Sequence, residues 1–295
     1  MIKNGFYKKL HRLNNAPGSV LFPVLISALL LTACSSPSSP PSRYKISQDH
    51  GPGNPVDVSE VRDAVPKAEP RSKYGNPKNY KVLGKWYSVR ESSEGYQEKG
   101  IASWYGKKFH GHRTSSGETY DMYAMTAAHK TLPLPTYVRV THLENGRSVI
   151  VKVNDRGPFH ANRIIDLSYS AARKLGVTAK GTGVVEVTAI NPATYNKEQP
   201  YQPKIKRTAA FDSYPAKMNY KLYLQVGAFS EQHNAHKLQK RLSRMFKARK
   251  IHANYAADKN IYRVRIGPLA SIDDADKLSA YLNNKGIPST RIIID

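Results

Sequence analysis

Asp155 and Asp166, in the stretch Val151–Ser168, flank the Gly157-Pro158 turn and are of the right type to move protons. A carboxyl group works as a general acid or base when its surroundings hold its pKa near the working pH. Asp155 follows a β-rich run, so it stands at a strand end, where its plainest role is an Asx turn on local backbone N–H groups. Asp166 sits inside the apolar run Ile164-Ile165-Asp166-Leu167. There it is either a buried acid of raised pKa or the cap of a helix starting near Ser168. Glu118, in a glycine-bearing loop, and His129, before Lys130-Thr131-Leu132-Pro133, are further candidates. Their plain alternatives are a surface glutamate and a structural histidine. Trp104, Tyr105 and Phe109 offer flat faces that suit sugar rings as well as a core. Other chemistries find little footing: the sequence holds no Gly-x-Ser-x-Gly elbow, cysteine pair or phosphate loop. Asp, Glu and His show no zinc-ligand spacing, and the close His110 and His112 do not by themselves make a metal set. Neither a metal nor a cofactor is expected.

These residues need a scaffold, and residues 99–190 read mostly as strands. Tyr137–Val140 and Val149–Val153 are β-rich and joined across Glu144-Asn145-Gly146, a hairpin signal; Val184–Ile190 supplies a later strand. Ser168–Leu175 reads as a short helix that ends before Gly176. Residues 217–295 carry an internal repeat, in which Leu224, Val226, Gly227, Ala235, Leu238 and Leu242 recur as Val264, Ile266, Gly267, Ala275, Leu278 and Leu282. Each copy is a strand, a glycine turn and an amphipathic helix, which predicts a βαββαβ sheet covered on one face by two helices. Alternation then sends Tyr223, Gln225, Arg263 and Arg265 to the opposite face, as a platform for a sugar chain or as ordinary solvated surface.

The chain opens with a basic start and an apolar run from Val20 to Leu31, which reads as a signal peptide over residues 1–33. Leu31-Thr32-Ala33-Cys34 resembles the lipobox of bacterial lipoproteins, which makes Cys34, the sole cysteine, a lipidation site. By resemblance to bacterial lipoprotein sorting rules, Ser35 rather than aspartate after it implies the outer membrane. Residues 34–98 and 191–216, rich in Ser, Pro, Gly and charge, read as a disordered tether and a linker. The net charge of +24 would suit nucleic acid in a cytoplasmic protein, but export argues against that partner and toward anionic groups of the cell wall or lipid headgroups.

Ala102-Ser103-Trp104-Tyr105-Gly106, Gly117-Glu118, Thr126–Pro133, Asn154–Phe159 and Ile164–Ser168 together resemble the rare lipoprotein A family. In addition, Leu224–Phe229 and Tyr262–Pro268 resemble the SPOR pattern. The resemblance implies a fold that is mainly β plus α+β, a six-stranded double-psi β-barrel followed by a SPOR domain. It also implies an endolytic lytic transglycosylase, held by that domain on peptide-stripped peptidoglycan glycan strands at the division septum. Such an enzyme uses the sugar's own C6 hydroxyl as nucleophile, so one acid that later acts as base suffices. Asp155 and Asp166 are both expected in its groove with the acid role open between them, beside Glu118 and His129, with Trp104 and Tyr105 on the sugar. The implied location is an outer-membrane lipoprotein facing the periplasm, with septal proteins as further partners. The competing expectation is a non-catalytic, expansin-like wall protein that binds denuded glycan.

Overall fold

The computed structural model describes residues 44–54, 56–195, 220–288 and 290–295. The signal peptide, Cys34 and most of the second linker lie outside the described residues. In chain order a hairpin of β1 (Asn79–Val82) and β2 (Lys85–Ser88) precedes β3 (Gln97–Trp104), β4 (Thr126–His129), β5 (Thr136–His142), β6 (Ser148–Asp155) and β7 (Arg163–Leu167). Helix α1 (Tyr169–Leu175) and β8 (Gly183–Ala189) follow. The C-terminal part adds β9 (Leu222–Phe229), α2 (Gln232–Met245), β10 (Ile251–Ala256), β11 (Ile261–Leu269), α3 (Ile272–Asn284) and β12 (Arg291–Ile294).

Strands β3 to β8 close into a barrel in the order β3-β7-β4-β6-β5-β8. The pairs β3/β7 and β4/β6 are parallel and the others antiparallel. Alternation explains the closure: Ala102, Ala127, Val151, Val153, Ile165 and Leu167 are fully buried in one interior cluster. Each side chain as large as valine or leucine contributes roughly 1.5–3 kcal/mol by leaving water. Helix α1 starts where the Ser168 side chain accepts from Ala171 N–H and stops where Gly176 takes a φ of 83°. Ser168 is thus the cap, which removes the capping role for Asp166.

Residues 44–96, expected to be a disordered tether, instead run as a belt over the barrel, held mainly by polar contacts to backbone. Ala64 N–H donates to Ile150 O at 3.0 Å, Ser72 N–H to Leu134 O at 2.9 Å and Arg90 N–H to Thr131 O at 2.7 Å. Arg156 fastens belt to barrel, donating to Gly75 O at 2.8 Å and Leu132 O at 2.5 Å. Saturated backbone groups offset ordering entropy here without the apolar pattern that would have announced a fold.

The C-terminal sheet has the order β10-β11-β9-β12, antiparallel throughout. Leu224, Val226, Val264 and Ile266 are buried with Ala235, Leu242, Ala275 and Leu282 of the two helices. The barrel and this sheet fall within one compact unit, Tyr44–Asp295. Ile101 and Val184 of the barrel join the apolar cluster of the sheet, and Arg163 pairs with Asp276 of α3 at 2.5 Å.

Candidate active site

Strand register brings the two aspartates to one face. Ala128 of β4 pairs with Asp155 of β6 on one side and with Asp166 of β7 on the other. Directly paired residues point to the same face, so the carboxylates stand at one level, two strand spacings or about 9.6 Å apart in backbone. A bulge makes this possible for Asp155. Ala127 pairs with Val153 and Ala128 with Asp155, so Asn154 is skipped; a regular strand would have sent Asp155 inward after Val151 and Val153.

Asp155 Oδ1 accepts from Ser115 N–H at 2.7 Å, Ser115 Oγ–H at 2.6 Å and Arg156 N–H at 2.7 Å. The local backbone donor is the next residue, Arg156, and not the one two positions on that an Asx turn uses, so that plain role is not the one found; Oδ2 has no hydrogen bond among the described residues. Asp166 differs. Its one side-chain partner is the Ser103 hydroxyl, which donates to Oδ1 from the neighbouring strand β3. Burial raises its pKa to about 6, against the lowering effects of the Ser103 bond and the charges of Arg163 and Lys130; the charge of Asp49 adds a further upward push. A carboxyl group so held is populated as acid near neutral pH and as base once it has given up its proton.

The charges of both aspartates act on Tyr105. Its ring is buried and stacked on Tyr120 with centroids 4.1 Å apart, so it does not serve as the sugar platform expected of it. Its hydroxyl is buried beside that of Thr126, the two facing each other without good hydrogen-bond geometry and with no other partner among the described residues. Burial foremost, and also the charges of Tyr120, Asp155 and Asp166, push the phenol's pKa well up, so it stays a neutral donor. Trp104 is partly exposed and meets Tyr169 edge-on at 5.9 Å. Glu118 reaches the same neighbourhood: Lys152 Nζ lies 2.8 Å from Oε1, and Asn154 Nδ2–H donates to Oε2 at 2.7 Å, next to Asp155.

His129 departs from the expected catalytic role. Its Nδ1 accepts from Thr131 N–H at 3.2 Å and Leu132 N–H at 3.0 Å, which leaves the proton on Nε2. That nitrogen sits 2.9 Å from Tyr96 Oη, whose own proton goes to Glu98 at 2.9 Å. Both ring nitrogens are thus committed, and burial lowers the pKa to about 3. His129 shapes the loop that carries Lys130. Lys130 itself, with Ser103 and Ser115, was not singled out by residue type. Its Nζ donates to Arg163 O at 2.5 Å, its charge acts on Asp166, and burial lowers its own pKa to about 8. Only the pairing of β3 with β7 could have pointed to Ser103. Of the two close histidines, His110 accepts from Met122 N–H at 3.1 Å through Nδ1 and His112 lies edge-on to Tyr44.

On the C-terminal sheet Tyr223, Gln225, Arg263 and Arg265 all face away from the helices and are partly exposed. Arg265 is already paired with Asp295 at 2.6 Å, and Arg263 lies 3.7 Å from Asp258.

A six-stranded barrel with two aspartates on one face, followed by a helix-backed antiparallel sheet, defines a double-psi β-barrel protein with a SPOR domain. A family model described as a lytic transglycolase matches residues 97–189, and the SPOR domain model matches residues 219–292. The chain is 40% identical over 320 residues to the endolytic peptidoglycan transglycosylase RlpA of Pseudomonas aeruginosa (strain UCBPP-PA14), covering 90% of this chain and 93% of that protein. It is 52% identical over 185 residues to the protein of that name from Vibrio cholerae serotype O1, covering 63% and 68%. With the one from Neisseria meningitidis serogroup B the identity is 41% over 220 residues, covering 74% and 84%. The chain belongs to the endolytic peptidoglycan transglycosylase RlpA family.

Proposed function

We propose that this protein cleaves peptidoglycan glycan strands as an endolytic lytic transglycosylase, with Asp166 as its acid and base. Protonated Asp166 gives its proton to the glycosidic oxygen as the bond to C1 breaks. The resulting carboxylate then takes the proton of the C6 hydroxyl as that oxygen closes on C1, leaving a 1,6-anhydro end and a restored acid. The observation that carries this assignment is a carboxyl group raised to about 6 by burial, on the same face as a second carboxylate. Asp155, with its open Oδ2, faces the sugar's developing positive charge. Glu118 and Trp104 border the groove. Residues 99–190 are the catalytic unit, and residues 217–295 hold stripped glycan on the face of Tyr223, Gln225, Arg263 and Arg265, enriching the enzyme at the septum. Cys34 carries the lipid that holds the protein at the outer membrane, facing the periplasm.

The experiment is mass spectrometry of products released from amidase-stripped sacculi by the chain lacking residues 1–34. Anhydro-ended fragments are expected from the wild type. Asp166→Asn should lower the rate by roughly 10²–10⁴-fold, the usual worth of a positioned acid. An Asp166→Asn protein that keeps its rate removes Asp166 from this role.

A further inference from the structure

The loop that follows β3 aims two backbone N–H groups, of Gly106 and Lys108, at one carboxylate, while the amide between them bonds a backbone carbonyl. Gly106 N–H donates to Asp49 Oδ2 at 2.7 Å, Lys107 N–H to His50 O at 2.8 Å and Lys108 N–H to Asp49 Oδ1 at 3.0 Å. Two amides that converge in this way form a concave anion site, and here they hold a carboxylate by both oxygens. Glycine is required at its first position, since a Cβ on Gly106 would lie 2.3 Å from His50 O.

The carboxylate in this site comes from an exposed strap. Ser47 to His50 are exposed, and the strap's further ties include Lys108 Nζ to Ser47 O at 2.8 Å and the edge contacts of Tyr44 with Phe109 and His112, each at 5.0 Å. The strap also lies near Asp166. Gly51 of the strap packs against Trp104 and Tyr169, and Asp49 is among the charges acting on Asp166. Lys107 and Lys108 add positive charge beside the amides, with Lys107 exposed.

We propose that the Gly106 and Lys108 amides, with the Lys107 side chain beside them, form a carboxylate subsite of the groove, occupied by Asp49 in the resting chain, which takes the free lactyl carboxylate of a peptide-stripped muramic acid. This rests on the reading of the groove as a glycan site. The chemistry discriminates substrates. A stem peptide turns the lactyl carboxylate into an amide, which carries no negative charge and adds bulk, whereas stripping restores the group that Asp49 imitates. The barrel would then select stripped strands by itself, and Asp49 would be its internal competitor. Occupancy by Asp49 lowers apparent affinity by the fraction of chains with the strap displaced.

The test is a titration of isotope-labelled protein lacking residues 1–34, followed through backbone amide shifts. The probe is the N-acetylglucosaminyl-N-acetylmuramic acid disaccharide, which has no muramyl bond to cut. Controls are chitobiose, which lacks the lactyl group, and the same disaccharide bearing L-Ala-D-Glu. In Asp49→Ala the amides of Gly106 and Lys108 should shift with the free-lactyl probe, at an apparent Kd about tenfold below wild type; Asp49→Asn should fall between. Amides that stay still in the folded variants overturn the subsite, as does an equal response to chitobiose. An equal or stronger response to the peptide-bearing disaccharide assigns the ligand to stem carboxylates and overturns the lactyl assignment. If the shifts appear but no anhydro products form on sacculi, the transglycosylase reading fails and the subsite stands.

Discussion

At the scale of single residues, the distinction that matters is how each carboxylate is satisfied. Asp155 collects three donors on one oxygen, while Asp166 is buried with one hydroxyl for a partner. The sign of the consequence for Asp166 is definite. Its folded pKa of about 6 lies above the ordinary value of 3.8, so the folded state binds the extra proton between those limits. Stability therefore falls as pH rises from about 4 to about 6 and stays lower above, by on the order of 2–3 kcal/mol. Asp166→Asn should be more stable than wild type by about that amount at pH 8 and equal to it at pH 4, by urea titration, while having lost cleavage. The rate of wild type should decline above pH 6 as the acid form disappears; a flat profile from pH 5 to 8 would count against Asp166. His129 runs the other way. Its folded pKa of about 3 is depressed, so the stability it contributes is present above pH 6.5 and is lost as pH falls toward 3. His129→Ala should cost about 2–4 kcal/mol through two orphaned amides and a cavity. No kinetic pKa near 6 should move in whatever fraction remains folded. The sequence shows the residue but not its role, because the bonds that settle it come from Thr131, Leu132 and Tyr96.

At the scale of elements, what could be read from the sequence was local. The Asn145-Gly146 hairpin, the helix ended by Gly176 and the repeated strand-helix units each carry their signal within a few residues, and all are present. The belt was illegible because it is held by distant partners such as Ile150, Leu134 and Arg156, so low hydrophobicity resembled disorder. The bulge at Asn154 was equally hidden, since alternation alone puts Asp155 inside the barrel. Ser168 tests how firmly the capped helix is set. Its hydroxyl donates to Ala124 O at 2.6 Å as well as accepting from Ala171 N–H, and the residue is fully buried. Ser168→Ala should cost about 2 kcal/mol, one part lost cap and one part orphaned carbonyl. The check is a lower denaturant midpoint with unchanged slope and an unchanged rate per folded molecule, because Asp166 is fixed by strand pairing rather than by the helix.

At the scale of the whole molecule, the catalytic and glycan-holding parts are joined by few but specific contacts. Asp276 of α3 accepts from Arg163 Nη2 at 2.5 Å and from Asn162 Nδ2 at 3.1 Å, and Tyr220 donates to Glu144 at 2.5 Å. Arg163 is mostly buried, with 9% of its side chain exposed, and it begins the strand that carries Asp166, whose pKa its charge helps to restrain. Removing Asp276 leaves that guanidinium without its carboxylate partner, a loss of about 1.5–3 kcal/mol for charge-assisted bonds. Two effects on different observables should follow in Asp276→Ala. Barrel and sheet should melt as separate transitions in calorimetry where the wild type shows one. Arg163, no longer shared with Asp276, should act more strongly on Asp166 and move the alkaline limb of the pH–rate profile below 6. Separate melting with an unmoved limb would make the contact purely mechanical. A moved limb with joint melting would mean that α3 tunes the acid without holding the two parts together.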